Sequence, residues 1–257
     1  MTYAITLVDL DDTLFQTRRK CPEGLSNVDL APMAVDTTGM PLSFATPKQQ
    51  AFTGWLSATT LFVPVTARSV DALFRTALTF DRAVAAHGGV ILRARKLCSV
   101  WASHIDAKAA VALPTLEVLS AAFLSAADRL GFAVRVRIVD EDGVPLYLVA
   151  KHKLADGCDT ELHAVASAVR SLVPEGWTVH INGNNVAYIP PHLGKAAAVE
   201  ALLPELRAEY PSLPVIGIGD SLTDAPFMAL CDFAMTPSRS QLAATFLSSK
   251  LSCSHAA

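Results

Sequence analysis

Two short apolar runs that each end in aspartate constrain this chain most. Ala4-Ile5-Thr6-Leu7-Val8 is β-rich and stops at Asp9; Pro214-Val215-Ile216-Gly217-Ile218-Gly219 stops at Asp220. Runs of this length and composition match buried parallel strands that deliver functional groups at their C-terminal ends. Leu61-Phe62-Val63-Pro64-Val65 reads as a third such strand, closed by Thr66, although Pro64 removes a ladder donor. Helical segments are expected over 48–59, 69–78 and 225–231, before or after these strands. Strands alternating with helices predict an α/β protein built on a doubly wound parallel sheet. Ligands of such sheets bind beyond the carboxyl ends of the strands, where Asp9, Thr66 and Asp220 would converge.

A stretch of different character separates these pieces. A helix is predicted over 113–130, ended by Gly131, then strands over 134–139 and 145–150 joined by Asp140-Glu141-Asp142-Gly143, a hairpin signal. A second helix over 159–172 stops before Pro174, and short strands over 178–181 and 186–189 flank Asn182-Gly183-Asn184-Asn185. The expected organisation is a Rossmann-like core of residues 1–91 and 190–257, with an α+β lid of residues 92–189 inserted into it. Residues 18–47 form a long Pro- and Gly-containing connection, with a hairpin turning near Thr37-Thr38-Gly39. Connections this long in compact domains are usually functional or mobile.

Charge excludes several classes of partner. The chain carries 21 basic and 24 acidic residues, and Arg18-Arg19-Lys20 is too brief a run to form a basic footprint for nucleic acid or an anionic membrane. No run reaches the roughly 18 uninterrupted apolar residues of a membrane span, and the start lacks the basic n-region of a secretory signal. Cys21, Cys98, Cys158, Cys231 and Cys253 are odd in number and contain no C-x-x-C pair. A reduced, cytoplasmic protein without a disulfide framework or structural zinc is the expectation. Oligomeric state leaves no mark in the sequence.

The chemistry concentrates in four places. In Asp9-Leu10-Asp11-Asp12-Thr13, two carboxylates at a strand end face one pocket; buried together they repel, and a divalent cation relieves this. Mg²⁺ suits such an oxygen set, with waters and a substrate phosphate completing the shell. Gly217-Ile218-Gly219-Asp220-Ser221-Leu222-Thr223-Asp224 supplies a tight turn, a metal ligand in Asp220, and Asp224 as ligand or support. Thr66 and Lys195 are the donors a phosphoryl group needs, Lys195 beginning a helix in Gly194-Lys195-Ala196-Ala197-Ala198. Arg68, Asn182 and Asn184 are further candidate substrate contacts. His152, His163, His180 and His192 lack metal-ligand spacing and read as packing or surface residues.

These motifs, in this order, resemble the haloacid dehalogenase-like superfamily of phosphohydrolases. The gap between Thr66 and Lys195 is similar to that of members with a lid inserted there. Thr66-Ala67-Arg68 and His87-Gly88-Gly89 look closest to the sucrose-phosphate and mannosyl-3-phosphoglycerate phosphatases. The chain departs from them at Ala67, where relatives often carry glycine, and in the long 18–47 segment. The resemblance implies a Mg²⁺-dependent phosphatase of a small phosphorylated metabolite, a sugar phosphate or phosphorylated sugar acid. Asp9 would be the nucleophile, Asp11 the acid and base, and Thr66 and Lys195 the phosphate donors. Asp9, the Asp11 carbonyl, Asp220 and Asp224 would surround the metal. Dehalogenase members lack an acid at the position of Asp11. A phosphomutase on the same core, or a metal-binding regulator without turnover, are the alternatives.

Overall fold

A computed structural model describes residues 2–153, 159–181 and 183–251. The chain divides into two compact units: Met1–Cys98 with Gly194–Ala257, and Ser99–Leu193.

The first unit opens on β1 (Ala4–Val8), buried at every position. After β2 (Gln16–Thr17), the chain forms the hairpin β3 (Ala31–Val35) and β4 (Pro41–Ala45), and the three make a small antiparallel sheet ordered β2-β4-β3. The hairpin turns at Thr37-Thr38-Gly39, where Gly39 has φ +86° and the Asp36 carboxylate accepts from the Thr38 and Met40 amides at 2.8 and 3.0 Å. Helix α1 (Pro47–Thr59) begins with a reciprocal cap: Thr46 accepts from the Gln49 amide while the Gln49 side chain accepts from the Thr46 amide.

Strand β5 (Thr60–Pro64) pairs with β1 and stands at an edge of the sheet. The Val65 amide donates to Val8 O at 2.8 Å, so by strand alternation the missing donor of Pro64 faces away from β1, the one side where an edge strand tolerates proline. Helix α2 (Val70–Phe74) is shorter than the 69–78 expected. A second small antiparallel sheet, not anticipated, follows: β6 (Ala83–Ala85), β7 (Val90–Arg93) and β8 (Lys96–Leu97). Strands of two to four residues show no period long enough to read.

The second unit begins with α3 (Ser99–Leu130), 32 residues with Pro114 inside. The helix expected over 113–130 begins 14 residues too late, and Pro114 lies inside α3. By length and composition α3 is long and apolar enough to cross a membrane, with a third of its most apolar window buried. Strands β9 (Val134–Glu141) and β10 (Val144–His152) form a hairpin through Asp142 and Gly143, at φ +53° and +81°. Both values are the left-handed pair that a two-residue hairpin turn demands. Helix α4 (Asp159–Ala168), β11 (Thr178–Ile181) and β12 (Val186–Ile189) complete an antiparallel sheet ordered β11-β12-β10-β9. Leu116, Leu119 and Phe123 of α3 and Leu162 and Val165 of α4 meet Leu148, Val186 and Tyr188 in one core.

The chain returns to the first unit through α5 (Lys195–Glu209), β13 (Val215–Ile218), α6 (Ala225–Met228), β14 (Phe233–Met235) and α7 (Gln241–Leu251). The central sheet is parallel throughout, ordered β14-β13-β1-β5. This is an α/β protein with a parallel core sheet and an inserted antiparallel unit. Cys21, Cys98 and Cys231 are free thiols; Cys158 and Cys253 lie outside the described residues.

Candidate active site

Strand order brings distant carboxylates together. Because β1 and β13 are parallel neighbours in register, Val8 opposite Ile218, their C-terminal ends place Asp9 beside Asp220. The Asp9 amide donates to Ile218 O at 2.8 Å. Thr13, four residues on, bridges the two, its hydroxyl 3.1 Å from Asp9 Oδ2 and 3.3 Å from Asp220 Oδ1. The backbone coils tightly to return Thr13: the Leu14 and Phe15 amides both donate to Leu10 O.

Asp224 is fully buried and held from several sides. Its Oδ2 accepts from the Asp220 amide at 3.2 Å, the Ser221 amide at 3.0 Å and the Ser221 hydroxyl at 2.7 Å. Gly219 is required here, since a Cβ would stand 2.5 Å from the Asp224 Cβ. The Lys195 ammonium joins the two motifs, 2.5 Å from Asp9 Oδ1 and 2.6 Å from Asp224 Oδ1. Lys195 reaches this place because Gly88, at φ +91°, lets residues 86–88 pack on the start of α5; a Cβ there would lie 2.2 Å from Gly194 O.

Three carboxylates, those of Asp9, Asp220 and Asp224, offer oxygens within 4.8 Å of one another, against one ammonium. The imbalance is written in their proton affinities. Burial pushes Asp9 up to about 8, helped by the Asp224 and Asp11 charges and opposed by Lys195. Burial also raises Asp220 to about 6, with the charges of Asp224 and Asp12 acting the same way. Asp224 is desolvated too, but Lys195 and Ser221 outweigh this and hold it below the usual carboxylate range. Lys195 resists desolvation because Asp9 and Asp224 flank it, so its ammonium is held above its ordinary value. A set of hard oxygen donors with surplus negative charge fits Mg²⁺.

Thr66 follows β5 and is fully buried, its hydroxyl accepting from the Arg68 amide at 3.2 Å. That bond uses a lone pair and leaves the hydroxyl proton to donate. Asp11 stands apart from the carboxylate cluster: Arg68 takes both its oxygens, Nε at 2.8 Å and Nη2 at 2.7 Å. Arg68, which the sequence leaves open between a substrate contact and a salt bridge, is engaged by a residue of the first acidic motif. Asn184 belongs to the second unit, where its Oδ1 accepts from the His152 amide at 2.6 Å and ties the β11–β12 turn to the end of β10. Asn182 lies outside the described residues. The sequence assigns no role to Thr13, Ser221 or Gly88; the first two sit inside the acidic motifs, the only signal that could have marked them.

No family model matches the chain, and no curated protein matches it in sequence. Solved structures do. The C-terminal domain of trehalose-6-phosphate phosphatase from C. albicans has a TM-score of 0.55 at 15% identity, covering 88% of this chain and 73% of that one. An N-terminally truncated IMP-nucleotidase from Plasmodium falciparum has a TM-score of 0.51 at 10% identity, covering 92% and 66%. The chain has a haloacid dehalogenase-like fold. The sucrose-phosphatase from Synechocystis, solved with sucrose and phosphate, covers 98% of both chains at 15% identity with a TM-score of 0.49. On the haloacid dehalogenase-like core, the candidate metal site of Asp9, Asp220 and Asp224 occupies the carboxyl ends of adjacent parallel strands.

Proposed function

We propose that this protein is a Mg²⁺-dependent phosphatase that hydrolyses a small phosphorylated metabolite through a phospho-aspartate on Asp9. The observation that carries the reading is the Lys195 ammonium between Asp9 and Asp224, with Asp220 alongside. A nucleophilic carboxylate held by a cation and a metal-ligand set is what phosphoryl transfer between two anions requires. Asp9 attacks phosphorus in line, forming an acyl phosphate and expelling the alcohol; water then attacks the acyl phosphate and regenerates Asp9. Asp11 gives a proton to the leaving oxygen and takes one from the attacking water. Thr66 and Lys195 donate to the phosphoryl oxygens. The N-terminus of α5 has no side-chain cap, so its amides remain available to an anion. Asp9, Asp220 and Asp224, with the Asp11 carbonyl, would hold Mg²⁺, which supplies charge neutralisation.

A sugar phosphate or phosphorylated sugar acid is the proposed substrate class. One solved structure with this fold is named as a trehalose-6-phosphate phosphatase, which accords with it. The test is phosphate release from a panel of phosphorylated metabolites, with and without Mg²⁺, for wild type and Asp9→Asn. Release that needs both Mg²⁺ and Asp9 is expected. An active Asp9→Asn protein would sink the mechanism.

A further inference from the structure

The segment of residues 18–47 has no part in the chemistry above, yet one of its side chains reaches that chemistry. Ser43 on β4 is 1% exposed, and its hydroxyl accepts from Arg68 Nη2 at 3.1 Å. Arg68 Nε and Nη2 also donate to the two oxygens of Asp11. Both Nη2 protons are thereby assigned, one to Asp11 and one to Ser43, and this determines the plane of the guanidinium. The Phe15 ring lies under the same guanidinium, 5.0 Å from its carbon.

Ser43 is itself firmly placed. The Ala77 amide donates to Met33 O at 2.8 Å and the Val35 amide to Arg75 O at 3.1 Å, fastening β3 to the chain after α2. At the other end, Gln49 Nε2 donates to Gln16 Oε1 at 2.7 Å, joining α1 to β2. The small sheet is thus fastened at both ends, and the more exposed partner is Asp11, whose side chain is 45% exposed against 12% for Arg68.

We infer that Ser43 is a positioning residue for proton transfer: it orients Arg68, and Arg68 aims the Asp11 carboxyl group. The 18–47 segment is then a working part of the site. This inference rests on the phosphatase reading, with Asp11 protonating the leaving oxygen. Positioning of that acid matters more for a basic leaving group than for an acidic one. A general loss of folding or phosphate binding affects both alike.

The experiment compares kcat/KM for phenyl phosphate and p-nitrophenyl phosphate with Mg²⁺. The two share a ring but differ in leaving-group basicity, phenol having a pKa of about 10 like tyrosine. Ser43→Ala is expected to lower kcat/KM about ten-fold for phenyl phosphate and less than about three-fold for p-nitrophenyl phosphate. Arg68→Lys, which keeps the charge but loses the fork, is expected to show the same selectivity. In Arg68→Lys, adding Ser43→Ala is expected to change phenyl phosphate turnover by less than about two-fold, since residues acting as one unit are not additive. An equal loss on both esters, no loss, or additive losses in an active enzyme overturns the inference alone. A wild type that releases phosphate from neither ester and from no member of the metabolite panel overturns the phosphatase reading and this inference with it.

Discussion

Lys195 Nζ stands 2.5 Å from Asp9 Oδ1 although 186 residues separate the two in sequence. The ammonium is the only cation hydrogen-bonded to the carboxylate cluster among the described residues, and it also meets Asp224. Lys195→Met leaves two buried carboxylates without it. Removing one partner of a buried pair costs about 3–5 kcal/mol. Denaturant unfolding without divalent metal is expected to show a loss of that order, partly restored by Mg²⁺, with phosphate release abolished. Unchanged stability would show that the cluster does not depend on this ion pair.

Proton uptake gives a second expectation. Asp9 and Asp220, raised to about 8 and about 6, hold protons that the unfolded chain gives up near pH 4. Where the native state binds more protons, stability falls as pH rises. Without divalent metal, the melting temperature should therefore decline between about pH 4 and pH 8 by this contribution. Asp224, held low, stays ionised across that window and opposes the decline only at its acid end, where the unfolded chain takes up a proton on it near pH 4. Mg²⁺ should flatten the decline, and its affinity should rise with pH as it displaces those protons. Melting curves across pH, with Mg²⁺ or a chelator, check both.

Thr13 spans the Asp9 and Asp220 carboxylates with one hydroxyl. Thr13→Val keeps the shape and removes the donor. Groups that orient metal ligands typically contribute 10–100-fold to affinity. Calorimetric titration with Mg²⁺ is expected to show weakening of about ten-fold with the fold intact. Equal affinity for the two proteins would assign Thr13 to packing.

Gly88→Ala adds a methyl where Gly194 O is 2.2 Å away, in a backbone conformation of φ +91° that favours glycine. Strain of this kind costs about 1–3 kcal/mol. Because the contact seats the first residue of α5, kcat should fall further than stability alone explains. Comparison with Gly24→Ala, at φ +88° with open space around it, separates local clash from backbone strain.

Strand ends could be read from the chain because a buried parallel strand is a continuous apolar run, and polar residues at its C-terminus interrupt that run abruptly. Asp9, Asp220 and the hairpin turn at Asp142-Gly143 were legible for such local reasons, each depending on residues a few positions apart. The length of α3 was not, since Pro114 is compatible with both a helix start and a helix interior, and the burial of Ile105, Ala109 and Ala112, which marks the turns before it, exists only in the folded chain. Nor was the partner of Arg68. A basic residue after Thr66 suggests an anion but cannot say whether that anion is a ligand or Asp11, 57 residues away. Only the folding of β4 against the loop that follows β5 brings Ser43 to Arg68. Such contacts join parts of the chain whose separation carries no periodic signal, and they form because tertiary packing places their backbones side by side.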